Sequence, residues 1–213
     1  MIHYFESGRS PEAPVLVLFH GTGGTERDLI PLARLISPES AILSLRGNVL
    51  ENGMPRFFRR LAEGVFDEAD LVFRTKEVQD FLDHAAEEYG LPRTRFVAVG
   101  YSNGANLAGS LLFHFRGSFS GAILHHPMVP LRGTTLPDLS GVPVFIGAGR
   151  NDPISPARET EELQSLLAGA GADVSVHWTY YGHGLSDGEA AAAKDWFEQH
   201  YTSMDDKERS GRI

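Results

Sequence analysis

The segment Gly100-Tyr101-Ser102-Asn103-Gly104 constrains this chain more than any other, because of what stands on either side of it. Phe96 to Val99 is an apolar run of strand length, and Ala105 to Phe115 repeats its apolar residues at helical spacing. A serine between glycines at a strand-to-helix junction is the pattern of a nucleophile elbow. The glycines are needed because the two backbones approach too closely there for side chains. The turn lifts Oγ above the sheet and sets the helix N-terminus beneath a developing oxyanion. A chance match is the competing reading, since the chain has 23 glycines in 213 residues. The buried flanks argue against it.

The rest of the chain alternates in the same way. Val15 to Phe19, Ala41 to Leu45, Gly121 to His125, Val142 to Gly147 and Val174 to Trp178 read as further strands, apolar enough to be covered on both faces. Helical patterns fall at residues 29–36, at 65–89 in one piece or two, and in two later segments. In the first of these Ser155 is placed to cap, with Pro156 at the first helical position; in the second Ser186 and Glu189 have capping-box spacing. Ile2 to Ser7 adds a candidate antiparallel edge strand. The order predicts an α/β protein with a mostly parallel central sheet of about seven strands and helices on both faces. Residues 1–202 form one expected domain, and 203–213 a charged tail expected to be disordered.

In proteins with such an elbow the acid and then the histidine follow the serine along the chain. Asp152 stands just past the strand at Val144 to Gly147, on a Gly/Asn-rich turn closed by Pro153. Asp138 precedes that strand and falls at the wrong end of the sheet, and Asp187 suits a helix N-terminus. Among nine histidines, His183, between Gly182 and Gly184 after the last strand, has both the order and the loop context. His84, His114 and His200 lie on helices, His177 in a strand and His3 near the N-terminus. Ser102 is then the nucleophile, His183 the base and Asp152 its orienting carboxylate. The oxyanion donors are expected at the backbone N–H of Asn103 and of Thr22, the latter in His20-Gly21-Thr22-Gly23-Gly24. A phosphate-binding reading of those glycines fails, since neither the Walker lysine nor the GxGxxG spacing is present.

Composition narrows the alternatives. The net charge of −9 disfavours nucleic acid and anionic membrane. The absence of cysteine removes disulfides, thiolate metal sites and a thiol nucleophile, and the last point weighs against a dienelactone-hydrolase reading. No ligand cluster implies a metal, and no cofactor is expected. The N-terminus carries no signal-peptide pattern, and no apolar run approaches the roughly 18 residues of a membrane span, so a cytoplasmic location without membrane insertion is expected. A homodimer is open to such a chain.

Together, His20 to Gly24, Gly100 to Gly104, Asn151-Asp152-Pro153 and Gly182-His183-Gly184 resemble the bacterial carboxylesterase/phospholipase family of α/β-hydrolases. Arg46 to Phe58 and His125-His126-Pro127-Met128 narrow the likeness to its branch of hydroquinone-specific carboxylesterases linked to quinone stress. The resemblance covers about residues 1 to 200. It implies an α/β-hydrolase fold, a triad of Ser102, Asp152 and His183, oxyanion amides at Thr22 and Asn103, and hydrolysis of small or medium acyl or aryl esters. A thioesterase or lysophospholipase would use the same triad. A non-catalytic ligand-binding protein on this fold would show a broken triad.

Between Pro127 and Gly141 there are too few residues for a helical lid, so no cap domain is expected. The irregular stretch 46–60 is the expected pocket wall, apolar at Phe57 and Phe58, polar at Arg56, Arg59 or Glu51. Equally, its arginines suit surface pairing with Glu63, Asp67 and Glu68. His126 and Met128 are expected on the leaving-group side, with structural packing an equal reading for His126.

Overall fold

The structure is a computed structural model that describes residues 1–202; the expected tail at 203–213 lies outside the described residues. Seven strands form the main sheet. They are β1 (His3–Glu6), β2 (Val15–Phe19), β3 (Ala41–Leu45), β8 (Phe96–Tyr101), β9 (Gly121–His125), β10 (Pro143–Gly149) and β11 (Asp173–Thr179). Their spatial order is β1-β3-β2-β8-β9-β10-β11. Every pairing is parallel except β1 with β3, which run antiparallel at the edge with His3 opposite Leu45.

Side chains alternate across the strands, and the two helix layers collect the alternate sets. Val15, Val17 and Phe19 of β2 join a core under α2 (Glu68–Tyr89), α3 (Asn103–His114) and α4 (Ala157–Gly169). Leu16 and Leu18 join a second core under α1 (Ile30–Ile36) and α5 (Asp187–Phe197). Both faces of β2, β3, β8 and β9 are therefore apolar, as the continuous apolar runs require. This is the α/β-hydrolase fold. Residues 126–142, between β9 and β10, hold no helix, so no helical cap rises from this connection.

Two local expectations are corrected. Residues 65–89 are not all helix: Val65–Phe66 is a short strand, β7, and α2 begins one turn later as a single piece. Its N-cap is Asp67, whose carboxylate accepts the Asp70 N–H at 3.0 Å, and Gly90 closes it in the left-handed region at φ 64°. Ser155 does not cap α4. Its hydroxyl instead donates to the Pro127 carbonyl at 2.6 Å, tying the start of α4 to the strand end at β9.

The irregular stretch after β3 is also built. β4 (Val49–Glu51) and β5 (Met54–Arg56) form a hairpin, and β6 (Arg60–Ala62) pairs with β7 in a second. Asn52 and Gly53, at φ 52° and 79°, make the two-residue turn that such a hairpin favours.

Candidate active site

Ser102 sits between β8 and α3 with φ 51° and ψ −114°, a conformation costly for a residue with a Cβ. Two bonds hold it: its N–H donates to the His125 carbonyl at 2.9 Å, and its carbonyl accepts the Asn106 N–H at 2.9 Å. The flanking glycines are sterically required. A Cβ on Gly100 would stand 2.7 Å from the Ala105 Cα, and one on Gly104 would collide with the backbone of Phe19 and His20.

The acid and base loops extend the β10–β11 ladder past its last pair. The Arg150 N–H donates to the Thr179 carbonyl at 2.7 Å and the Gly182 N–H to Asn151 Oδ1 at 3.0 Å. This close approach brings Asp152 and His183 together. Asp152 Oδ2 lies 2.7 Å from His183 Nδ1, and His183 Nε2 lies 2.9 Å from Ser102 Oγ. Asp152 Oδ1 accepts the N–H groups of Ile154 at 2.8 Å and Ser155 at 3.0 Å. Burial pushes the Asp152 carboxyl up, but the bonds from Ser155, His183 and Ile154 outweigh it and hold it below the usual carboxylate range. The Tyr101 hydroxyl donates to the His183 carbonyl at 2.7 Å and steadies that loop.

Thr22 and Asn103 line the same cleft as Ser102 and His183. Asn103 opens α3, where helix geometry leaves the N–H without an intrahelical acceptor. Thr22 also offers a backbone N–H with no acceptor among the described residues. Its loop is fixed by His20, which lies 2.6 Å from the Gly21 carbonyl through Nδ1 and accepts the Gly47 N–H at Nε2 at 3.1 Å. Those two bonds demand the neutral Nδ1–H tautomer. Burial, lowering the His20 pKa, favours the same state.

The cleft has a volume of about 270 Å³. Phe66, Met128 and Ile154 give it apolar surface, and Arg56 and Arg60 are among its lining residues, which include no carboxylate. A larger cavity of about 800 Å³ opens near Pro14, Pro143 and Asp173, at the opposite ends of the strands, and holds none of these groups.

The expected wall residues divide. Arg56, 3% exposed, lies in the wall; its guanidinium donates to Thr22 Oγ1 at 2.7 Å and to the Phe58 carbonyl at 3.2 Å. Glu51 stands behind the wall, 3.2 Å from Arg56 and 2.9 Å from Arg60. Met128 and His126 line the cleft. Phe57 and Phe58 do not: both are buried in the core beneath α2 and α3, because the hairpin at β4–β5 turns the chain inward as it leaves β5. Arg59 faces outward and pairs with Asp67 at 3.1 Å; of the surface partners expected for these arginines, Asp67 is the one engaged.

Sequence reasoning missed Glu189. In α5 it stands three residues after Ser186, whose hydroxyl accepts its N–H at 3.2 Å, but its side chain does not return to the cap. The carboxylate is wholly buried, reaching His125 Nδ1 through Oε1 and His126 Nε2, at 3.1 Å, through Oε2. His126 Nδ1 lies 3.0 Å from Asp152 Oδ2. His126, Asp152 and His183 thus have polar atoms within 4.8 Å of one another, but these atoms are engaged in hydrogen bonds that a bound cation would have to dismantle. The dipeptide His125-His126 at a strand end was the available signal.

A model of the dienelactone hydrolase family matches residues 54–205. The chain is 56% identical over 199 residues to a Bacillus subtilis (strain 168) protein named as a hydrolase, MhqD, covering 93% of this chain and 98% of that one. Among solved structures it is similar to the Bacillus cereus carboxylesterase, with 58% identity, a TM-score of 0.93 and coverage of 93% and 94% of the two chains. It also resembles YahD, solved with malic acid, at 32% identity, TM-score 0.89 and coverage of 93% and 98%. The missing thiol bears on which side chain attacks, not on descent. With most of its length matched by that model, the chain belongs to the dienelactone hydrolase family and is a hydrolase.

Proposed function

We propose that the protein is a serine carboxylesterase acting on small or medium acyl or aryl esters through an acyl-serine intermediate. The observation that carries this reading is the unbroken line Ser102 Oγ, His183 Nε2, His183 Nδ1 and Asp152 Oδ2, with steps of 2.9 and 2.7 Å. Ser102 Oγ attacks the ester carbonyl carbon while His183 Nε2 takes its proton. The oxyanion is met by the N–H groups of Thr22 and Asn103. His183 returns the proton to the departing alkoxide, which leaves as the alcohol. Water then attacks the acyl-serine by the same route in reverse, releasing the acid. Asp152 holds the imidazole with Nδ1–H inward and stabilises the imidazolium.

A cleft of about 270 Å³ favours short acyl groups over the long chain of a lysolipid. The arginines in its wall favour esters that carry an acidic or electron-rich group, and the malic acid with which YahD was solved is such a molecule. The link to hydroquinone chemistry rests on the likeness in residues 46–58 and in His125-His126-Pro127-Met128, and aryl esters of hydroquinones test it.

A fluorophosphonate probe should label Ser102 and nothing else. Ser102→Ala should lower kcat by roughly 10⁴- to 10⁶-fold on an aryl-ester panel. Labelling of another residue, or retained turnover in Ser102→Ala, ends the proposal. Faster turnover of thioesters than of matched oxygen esters would favour the thioesterase reading.

A further inference from the structure

Behind Asp152 the hydrogen-bonded line does not stop. Asp152 Oδ2 faces two imidazoles, His183 and His126. His126 in turn faces two carboxylates, Asp152 through Nδ1 and Glu189 through Nε2. Ionised carboxylates only accept hydrogen bonds, so both His126 nitrogens must carry protons for both contacts to be bonds. His125 differs: Nδ1 meets Glu189, while Nε2 is buried without a partner among the described residues, which suits an unprotonated nitrogen. Proton counting therefore puts the single cation of this cluster on His126.

The fold makes room for it. A Cβ on Gly147 of β10 would overlap Glu189 Oε1, so glycine there is what admits the carboxylate beneath the strand end. His126 itself stands at φ 52°, its N–H donated to the Gly147 carbonyl at 2.7 Å. Its side chain is fully buried. A left-handed backbone and a buried ionic triad are both costly, and neither is needed to end a strand.

We propose that His126 and Glu189 are positioning residues for the ester hydrolysis: Glu189 keeps His126 an imidazolium, and His126 anchors Asp152 and sets the pH at which His183 serves as base. This rests on the serine reading above. The ring centroids of His126 and His183 are 5.2 Å apart, so a cation on the first repels a proton arriving on the second. The other groups facing His126 are Tyr101, 6.0 Å away ring to ring, and His125 through Glu189; Arg56 and Arg60 stand elsewhere in the cleft wall. The His126 pKa is raised, the bonds and charges of Glu189 and Asp152 outweighing burial, in line with the proton count.

The test compares pH profiles of kcat/KM for the wild type, Glu189→Gln and His126→Asn. Asn tolerates the left-handed backbone at this position and keeps a neutral donor toward Asp152. In both variants the acidic limb should move up by roughly one pH unit. A merely structural role would lower kcat or stability and leave the limb in place; an unmoved limb in folded variants overturns the proposal. A second measurement needs no variant. At a pH where exposed imidazoles are neutral, ¹⁵N spectra of histidine-labelled wild type should show one ring with both nitrogens protonated, and a spectrum without it equally overturns the proposal. Probe labelling of Ser102 in the same samples separates the outcomes, since its loss in the wild type strikes the serine reading instead.

Discussion

Gly104→Ala perturbs the elbow at its tightest point. A Cβ there would stand 2.5 Å from the His20 carbonyl oxygen, almost an ångström short of ordinary contact, and closer still to the Phe19 carbonyl group. All these atoms are backbone, on β2 in the middle of the sheet and on the loop that carries Thr22. Neither can rotate away, so α3 must slide outward and take Ser102 and Asn103 with it. Overpacking of this kind costs about 1–3 kcal/mol, and backbone obstruction puts Gly104→Ala at the upper end. The internal control lies on the same helix. At Gly109 the nearest atom to an added Cβ is Pro130 Cγ at 3.6 Å, an ordinary contact. Gly109→Ala should therefore stabilise by about 0.5–1 kcal/mol through helix propensity. For a chain of this length the two variants should melt on the order of 10 °C apart. Activity should divide as well: displacement of the nucleophile by about 1 Å costs about 10²-fold in kcat/KM, whereas Gly109→Ala should be near wild type. Thermal melts and steady-state kinetics on one aryl ester decide it. If Gly104→Ala melts and turns over like Gly109→Ala, the close approach of α3 to β2 is not what demands glycine in the elbow.

Phe58→Ala should destabilise by about 3–5 kcal/mol, read as a lower denaturant midpoint, because Phe58 is core and not cleft wall; a near-neutral change in stability with a raised KM would restore it to the wall. Glu189 and His126 give stability a pH signature. Burial pushes the Glu189 carboxyl up, but the bonds from His125 and His126 prevail and bring it from its ordinary 4.5 down to about 2. A lowered carboxyl stabilises fully above the ordinary value, and that contribution is lost as pH falls from 4.5 to about 2. His126, raised above its ordinary 6.5, stabilises fully below that value and loses its contribution as pH climbs through the raised one. The stability difference between wild type and Glu189→Gln should thus peak between the two ordinary values and shrink on both sides. Calorimetric melts across pH read this, and a difference that stays flat from 4.5 downward contradicts it.

What the sequence made legible, and what it hid, follow from how far apart the causes lie. The elbow is written in five consecutive residues whose glycines answer to contacts with the next helix and strand, so the pattern carries its own reason. Asp152 and His183 were legible for a related cause: each stands one short turn past an apolar run, and parallel neighbours β10 and β11 must end side by side. Asn52-Gly53 carries a local reason of the same kind, a two-residue hairpin turn inside a stretch whose composition suits a loop. The hairpin is what sends Phe57 and Phe58 into the core and not into the cleft wall. Glu189 was hidden by ambiguity. An acid three residues after a serine at a helix start fits a cap, and the cap half is real, for the serine does accept its N–H. What diverts the side chain is Gly147, more than forty residues earlier, whose missing Cβ opens a space beneath the sheet where two histidines converge. No local pattern joins a glycine in one strand, a dipeptide at the end of another and an acid on a helix. Only their packing does, and the same packing turns a cap residue into the counter-ion of a cluster that ends at Ser102.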